Sequence, residues 1–460
     1  MSEKLSFLEK NTYGIPWIVH QLAAQSIMAL IFPIFTIEFG VSAATVGLII
    51  GLSRVYDAFT DPLMGNITDN FNSRFGKRRP FIFSGAIAMG VVFPLIFLVP
   101  AGSSPGMVSA WLAVSLVLFF TAYTVFIVPL LALGFELTTD VRERTAVQAY
   151  RAGWVAVASF IPPWLYRLAQ SGSFSGPAEG GLTISLCVGV MMVVFGTVPM
   201  FFLREKAPKK VAGSDKMKFV PALLETMRNR QFMILMAFTI AFMMSVTMVY
   251  AFGTYQNIYY VFAGDKIAAT TMLGLYGTVH AVVAFFSIPL TAWLARRMGK
   301  VRAISVNLSA LLAGTLLQWV AFNPRWPFLQ LVLIAPLMAF AASGFWVLVS
   351  SMRADVCDYD QLSTGRYRAG MYGAVSGWFQ KLAEFGATTL AGVFIAATLI
   401  RPELGSAQSP EAVFKLRLFA LAPGTVFSLV SLFLVRFYSL TEERMQEIQR
   451  ILKSRGEGSN

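Results

Sequence analysis

RFGKRRP (Arg74 to Pro80) and RMGKVRA (Arg297 to Ala303) are two copies of one turn, and their spacing decides how the chain is organised. Each copy follows the second apolar run of a set of six. Its glycine permits a tight turn, and its cations mark helix ends that stay on one side of a membrane. The apolar runs on either side are about twenty residues long, enough to cross a hydrocarbon core. They fall near 13–39, 43–68, 81–100, 108–135, 151–170, 183–203, 231–260, 270–294, 302–321, 327–353, 372–400 and 415–438. The polar segment Arg204 to Arg230, with Pro208, Gly213 and Pro221, parts them six and six. The expected divisions are therefore a first half over 1–203, a linker over 204–230, a second half over 231–438 and a tail over 439–460.

Composition supports a membrane reading. Of the 460 residues 56% are hydrophobic and 13% charged, about half the charged share of soluble proteins. Inside lipid the backbone must satisfy its own hydrogen bonds, so runs of this length imply helices. A duplicated half with a basic turn at matching positions is the organisation of the major facilitator fold. The expected fold class is an all-α membrane protein of twelve transmembrane helices in two pseudo-symmetric six-helix halves.

The net charge of +13 suggests nucleic acid until its distribution is read. The cations cluster between apolar runs, as at Arg74, Lys77, Arg78 and Arg79, or at Arg296, Arg297, Lys300 and Arg302. The alternate connections, Val41 to Ala44 and Ala101 to Gly106, carry no Lys or Arg. By the positive-inside rule this places both termini and the central linker in the cytoplasm, in an inner (plasma) membrane protein. No nucleic-acid partner is expected. Cys187 and Cys357 have no metal-type spacing. No cleaved leader is expected from MSEKLSFLEKNTYG.

Ionisable residues within a span are costly, by about 2.5 to 3.5 kcal/mol on insertion scales, so each is a functional candidate. YDAFTDPLMG in the second span sets Asp57 and Asp61 one turn apart on one face, with Thr60 beside them. Carboxylates and a hydroxyl offer only oxygen, which suits a sodium ion or a proton. Pairing of both acids with nearby cations is the competing structural reading. GWFQKLAEFG in the eleventh span places Lys381 and Glu384 on one face, with Trp378 on the side of Lys381. A lysine beside an indole suits a hydroxylated or anionic solute, whereas a Lys381–Glu384 pair would only brace helices. His20 and His280 stand alone in sequence and read as packed or interfacial side chains.

Four blocks resemble the glycoside–pentoside–hexuronide:cation symporters, whose best-known member is the melibiose permease. They are RVYDAFTDPLMG with GKRRP, ALGFELTTDVRERTAVQAYR (Ala132 to Arg151), FWVLVSSMRADVCDYDQLSTG (Phe345 to Gly365) and RAGMYGAVSGWFQKL (Arg368 to Leu382). The resemblance implies a cation site of Asp57, Thr60, Asp61 and Thr124. It implies a sugar pocket involving Arg151, Trp346 and Lys381. It also implies a cytoplasmic gate in which Asp355 and Asp358 pair with Arg144 and Arg368.

The departures bear on the solute. Where the melibiose permease holds galactosyl hydroxyls with aspartates on spans one and four, this chain has Gln21 and Ile127. Leu131 replaces a tryptophan. The cations Arg151 and Lys381 remain, so an anionic or less hydroxylated solute is expected. The first reading is cation-coupled symport of a sugar or sugar acid by alternating access. The alternative is symport of a lysophospholipid or similar amphiphile on the same scaffold. No HExxH, GxSxG or clustered His/Cys set points to an enzyme, and no filter-like repeat points to a channel. The expected partners are a small solute, a monovalent cation (Na+ or H+) and the lipid bilayer. The chain is expected to be monomeric, with no cofactor and no metal beyond the coupling ion.

Overall fold

A computed structural model describes residues 5–71, 73–138, 141–203, 225–365 and 368–457. Most of the 204–230 linker lies outside them. The helices are α1 (Phe7–Gly14), α2 (Trp17–Ser26), α3 (Ala43–Asn70), α4 (Arg79–Leu95), α5 (Pro105–Glu136), α6 (Val141–Ala158), α7 (Pro162–Ala169) and α8 (Pro177–Phe202). They continue as α9 (Arg230–Gln256), α10 (Lys266–Met298), α11 (Lys300–Ala321), α12 (Ala335–Thr364), α13 (Ala369–Ala397), α14 (Pro410–Leu434) and α15 (Glu442–Glu457). Wider π-type turns extend α2 through Ile27–Ile31 and Ile34–Glu38, and α9 through Asn257–Val261. Serines cap several starts: Ser42, Ser104 and Ser409 accept backbone amides of Thr45, Met107 and Ala412.

Each predicted apolar run lies mainly on helix. Among the described residues eight helices are long and apolar enough to cross a membrane, fewer than the twelve expected. The physical reason is visible in the remainder. α4 is only 17 residues long. The α6–α7 rod is broken at Ser159 to Ile161; α7 has only eight residues, and α6, at 18, carries Arg142, Glu143, Arg144 and Arg151. α3 carries Arg54, Asp57 and Asp61, and α13 carries Lys381 and Glu384, which lower their mean hydropathy. The helices that miss the criterion by charge are the ones holding the candidate site residues.

The chain forms two compact units. The first comprises Met1–Ala212, Asn257–Thr278 and Thr388–Gln408; the second comprises Gly213–Gln256, Val279–Ala387 and Ser409–Asn460. In the first, α4 packs against α5 and α8, and α2 against α8. In the second, α11 packs against α12 and α14, and α9 against α14. The same pairing pattern at matching chain positions points to two pseudo-symmetric halves.

The two copies of the turn share their glycine geometry, and each is anchored by a cation, at adjacent rather than matching positions (Arg78 in the first, Lys300, the counterpart of Lys77, in the second). Gly76 and Gly299 both take positive φ, +105° and +82°, where a side chain would be strained. In the first copy Arg78 is buried and donates to Thr68 Oγ1 (2.6 Å), Asp69 Oδ1 (2.5 Å) and Glu136 Oε1 (2.8 Å). In the second, Lys300 reaches both oxygens of Asp355 at 2.7 Å. Each copy thus ties its turn to a carboxylate late in a long helix, α5 or α12. Burial alone would lower the Arg78 pKa, but bonding to Glu136 and Asp69 outweighs it and raises it. Arg78→Gln removes donors from a buried network and should cost about 1–3 kcal/mol. Thermal unfolding in detergent measures this, and an unchanged midpoint would show the network to be dispensable.

Candidate functional site

α3 and α5 bring the four predicted cation ligands together. Asp57 is fully buried. Its Oδ1 accepts from Thr124 Oγ1 at 2.6 Å, and Thr124 Oγ1 lies 3.3 Å from Asp61 Oδ1. Thr60 Oγ1 is 3.2 Å from Thr124 Oγ1 and donates to the Asp57 carbonyl at 3.2 Å. Spacing along α3 explains why Asp57, Thr60 and Asp61 share a face. Packing of α5 against α3 explains Thr124, which no local pattern in the sequence could place. A hydroxyl has one hydrogen, so Thr124 serves one carboxylate at a time, and the shorter contact marks Asp57. The donor set is two carboxylates and two hydroxyls carrying two formal negative charges, and a bound cation would relieve the repulsion between the carboxylates. Pro62 follows directly. Lacking an amide hydrogen, it deprives the Ala58 carbonyl of its helical donor. Among the described residues no group of three or more His, Cys, Asp or Glu could hold a metal ion.

A second polar cluster in the same unit contains the predicted solute residues of spans one and five. The Arg151 guanidinium lies 3.4 Å from the centroid of the Trp17 ring, a close cation–π contact, and donates to Gln148 Oε1 at 3.1 Å. Gln21 is buried, and its amide donates to Ser159 Oγ at 2.8 Å. Gln21 therefore bonds the protein's own α6–α7 joint. His20 packs against Tyr123, its Nδ1 2.7 Å from Tyr123 Oη. His280 likewise meets Tyr250 Oη at 2.9 Å in the second unit.

In that second unit, Trp346 is 37% exposed and stands at right angles to Phe242 and Phe345, which stack 3.6 Å apart. Trp378 and Lys381 are half-buried on α13. Among the described residues, two of the expected gate residues, Asp355 and Arg368, have other partners. Asp355 is taken by Lys300. Arg368 is buried and bonds Asp360 through two nitrogens, at 2.8 and 2.6 Å, and Glu225 at 2.5 Å. α12 ends in a left-handed cap at Gly365, and Asp360, in its last two turns, is the α12 carboxylate that takes the Arg368 guanidinium. Its bond to Asp360 raises the Arg368 pKa further. Asp358 is half-buried. The Arg144 side chain lies outside the described residues.

One feature of the first unit escaped sequence reading. At the end of the first span farthest from the N-terminus, Glu38 accepts from Lys266 Nζ at 2.8 and 2.9 Å and from Tyr166 Oη at 2.9 Å. Arg167 donates to Thr271 Oγ1 at 2.9 Å, and Trp164 to Thr278 Oγ1 at 3.0 Å. In the same unit Gly47 on α3 meets Gly392 on α13 backbone to backbone. A Cβ on Gly47 would lie 2.5 Å from the Thr388 carbonyl oxygen, and one on Gly392 2.2 Å from that of Ala43. The signal available in the sequence was a small residue at these two positions within otherwise bulky runs, and it is weak without a partner to name.

The family described as MFS/sugar transport protein matches residues 12–442. The inner membrane symporter YicJ of Escherichia coli K12 is 25% identical over 98% of this chain and 96% of its own length. A glucuronide carrier protein homolog from the same organism is 24% identical over 97% and 96%. The isoprimeverose transporter of Lactiplantibacillus pentosus is 23% identical over 85% and 80%. A solved bacterial homolog of the human lysosomal transporter Spinster shares the fold, with a TM-score of 0.68, 14% identity and coverage of 94% and 97%. Long apolar helices, the duplicated turn and a family match over nearly the whole chain lead to one conclusion. The chain belongs to the MFS/sugar transport protein family and is a multi-pass membrane transporter for a small solute, not an enzyme.

Proposed function

We propose that this protein is a cation-coupled symporter that carries a sugar or an anionic sugar derivative by alternating access. The observation that carries this reading is the oxygen cluster of Asp57, Thr60, Asp61 and Thr124. Two acids set one turn apart within a spanning helix are expensive to insert, and a coupling ion gives them a use. Sodium and a proton both fit this donor set. The names of the relatives, an inner membrane symporter, a glucuronide carrier homolog and an isoprimeverose transporter, support a glycoside-type solute. Resemblance to the melibiose permease within this family rests on the sequence blocks. Arg151 in the first unit, and Trp346, Trp378 and Lys381 in the second, are the solute-binding candidates.

In this reading α3, α4, the α6–α7 rod and α13 also cross the membrane, giving twelve spans with both termini cytoplasmic. The seam of Glu38, Lys266, Tyr166, Gly47 and Gly392 then lies on the outer side and acts as the outer closure, opening to admit solute. Uptake into membrane vesicles tests the function. Accumulation of a glucuronide or glucoside should require an inward sodium or proton gradient and collapse when that gradient is dissipated. The glucuronide should be preferred to the neutral glycoside because a guanidinium such as that of Arg151 pairs with a carboxylate. Gradient-independent equilibration would remove the symport assignment, and transport of lysophospholipid alone would remove the sugar.

A further inference from the structure

His20 occupies an unusual position in the first unit. It lies on α2, half-buried. Its ring stacks on Tyr123 at an interplanar angle of 24° and takes the edge of Trp17 at 5.2 Å. Its Nδ1 is bonded to the Tyr123 hydroxyl at 2.7 Å. Among the described residues its other ring nitrogen, Nε2, makes no hydrogen bond, and it is not among the sealed polar atoms. Arg54 and Arg151 both lie within electrostatic reach of the imidazole. Nearby, the Gln21 amide donates to Ser159, and Ile127 is apolar and buried.

We infer that His20, oriented by Tyr123, binds the solute through Nε2, next to Arg151, by a hydrogen bond to a hydroxyl or carboxylate oxygen. Imidazole suits this task because the bond at one nitrogen fixes the role of the other. If the tyrosine hydroxyl donates to Nδ1, Nε2 carries the hydrogen and donates to an oxygen of the solute. Arg151, held flat on Trp17, adds a positive charge beside it. The ligand class is an oxygen-rich small solute with a hydroxyl or an anionic group at that end. Tyr123 immediately precedes Thr124, whose hydroxyl bonds Asp57. The solute-binding nitrogen and the cation-binding oxygen are thus anchored on one turn of α5. A shift of that turn on binding one ligand alters the site of the other, which is a coupling between sites.

This inference rests on the symporter reading and is tested so that the two can fail separately. Methyl β-D-glucuronide and methyl β-D-glucoside are titrated into purified full-length protein, with sodium binding in the absence of glycoside measured alongside. The variants are His20→Ala, His20→Gln, Tyr123→Phe and, as a control, Asp57→Asn. His20→Ala should weaken glycoside binding at least tenfold, with His20→Gln recovering part of the loss and Tyr123→Phe falling between. Sodium affinity without glycoside should stay within twofold for His20→Ala and His20→Gln. Glycoside affinity within twofold of wild type in both His20 variants, while Asp57→Asn loses its sodium response, overturns the role of His20 and leaves the symporter reading intact. Equal loss of glycoside and sodium binding in both His20 variants makes His20 a packing residue and also overturns it. Failure of the wild type to bind either glycoside overturns the glycoside reading and the role of His20 with it.

Discussion

Asp57→Asn should abolish cation-driven accumulation of solute while leaving the protein folded. Asp57 is fully buried, with its Oδ1 accepting from Thr124 at 2.6 Å. The amide keeps the shape and can still accept that bond, so packing is preserved. What it loses is one of two formal charges facing the ion. Interactions with a charged group of this kind contribute about 1.5–3 kcal/mol. At the upper end the cation's affinity falls roughly 100-fold. Thr124→Val, which removes a neutral oxygen, should cost about tenfold by the same reasoning. Vesicle uptake measured against sodium concentration and against pH decides the matter and identifies the ion. If Asp57→Asn kept the wild-type dependence on both, the ion would bind elsewhere.

The second large effect is expected far from the acids, at the seam. Gly392→Leu should reduce turnover at least tenfold while solute binding persists. A Cβ at Gly392 would sit 2.2 Å from the Ala43 carbonyl oxygen and 3.2 Å from the Ala44 Cα, both backbone atoms that cannot swing aside. The opposing Gly47 is as tight, at 2.5 Å from the Thr388 carbonyl oxygen. Overpacking of this kind costs typically about 1–3 kcal/mol, or roughly 5- to 150-fold in the closed population, and a leucine forced against backbone belongs in the upper part of that range. Because the seam is helix against helix, the strain opens it and leaves the individual helices intact. Comparing initial uptake rates with equilibrium binding in detergent separates a closure defect from a binding defect. Wild-type turnover in Gly392→Leu would show that the seam does not have to close. Glu38→Gln weakens the same closure by its bond to Lys266 alone and should have a smaller effect.

The two experiments lie at opposite ends of what the sequence discloses. Asp57, Thr60 and Asp61 could be grouped from their positions because helical spacing alone puts them on one face. Thr124 was reached only through family resemblance, since no local rule relates it to a residue 67 positions away. Gln21, a solute-ligand candidate from its place in the chain, donates its amide to Ser159, a partner the sequence could not name. His20, one residue earlier, read as a packed side chain and is bonded to Tyr123. Adjacent residues on a helix point about 100° apart, so choosing between them needs the neighbouring helix.

By itself the sequence determined the helical, membrane-embedded class, the duplicated basic turn and the chemistry of the second span. These follow from hydrophobic run length, the conformational freedom of Gly76 and Gly299, and the cost of placing acids in lipid. The tertiary structure alone decided which groups meet. It gave Asp355 to Lys300 and Arg368 to Asp360, turned Gln21 inward, and set Gly47 against Gly392. Such pairings depend on distances between helices that are remote in the chain. Periodicity fixes the face a residue occupies on its own helix, and only packing fixes what that face touches.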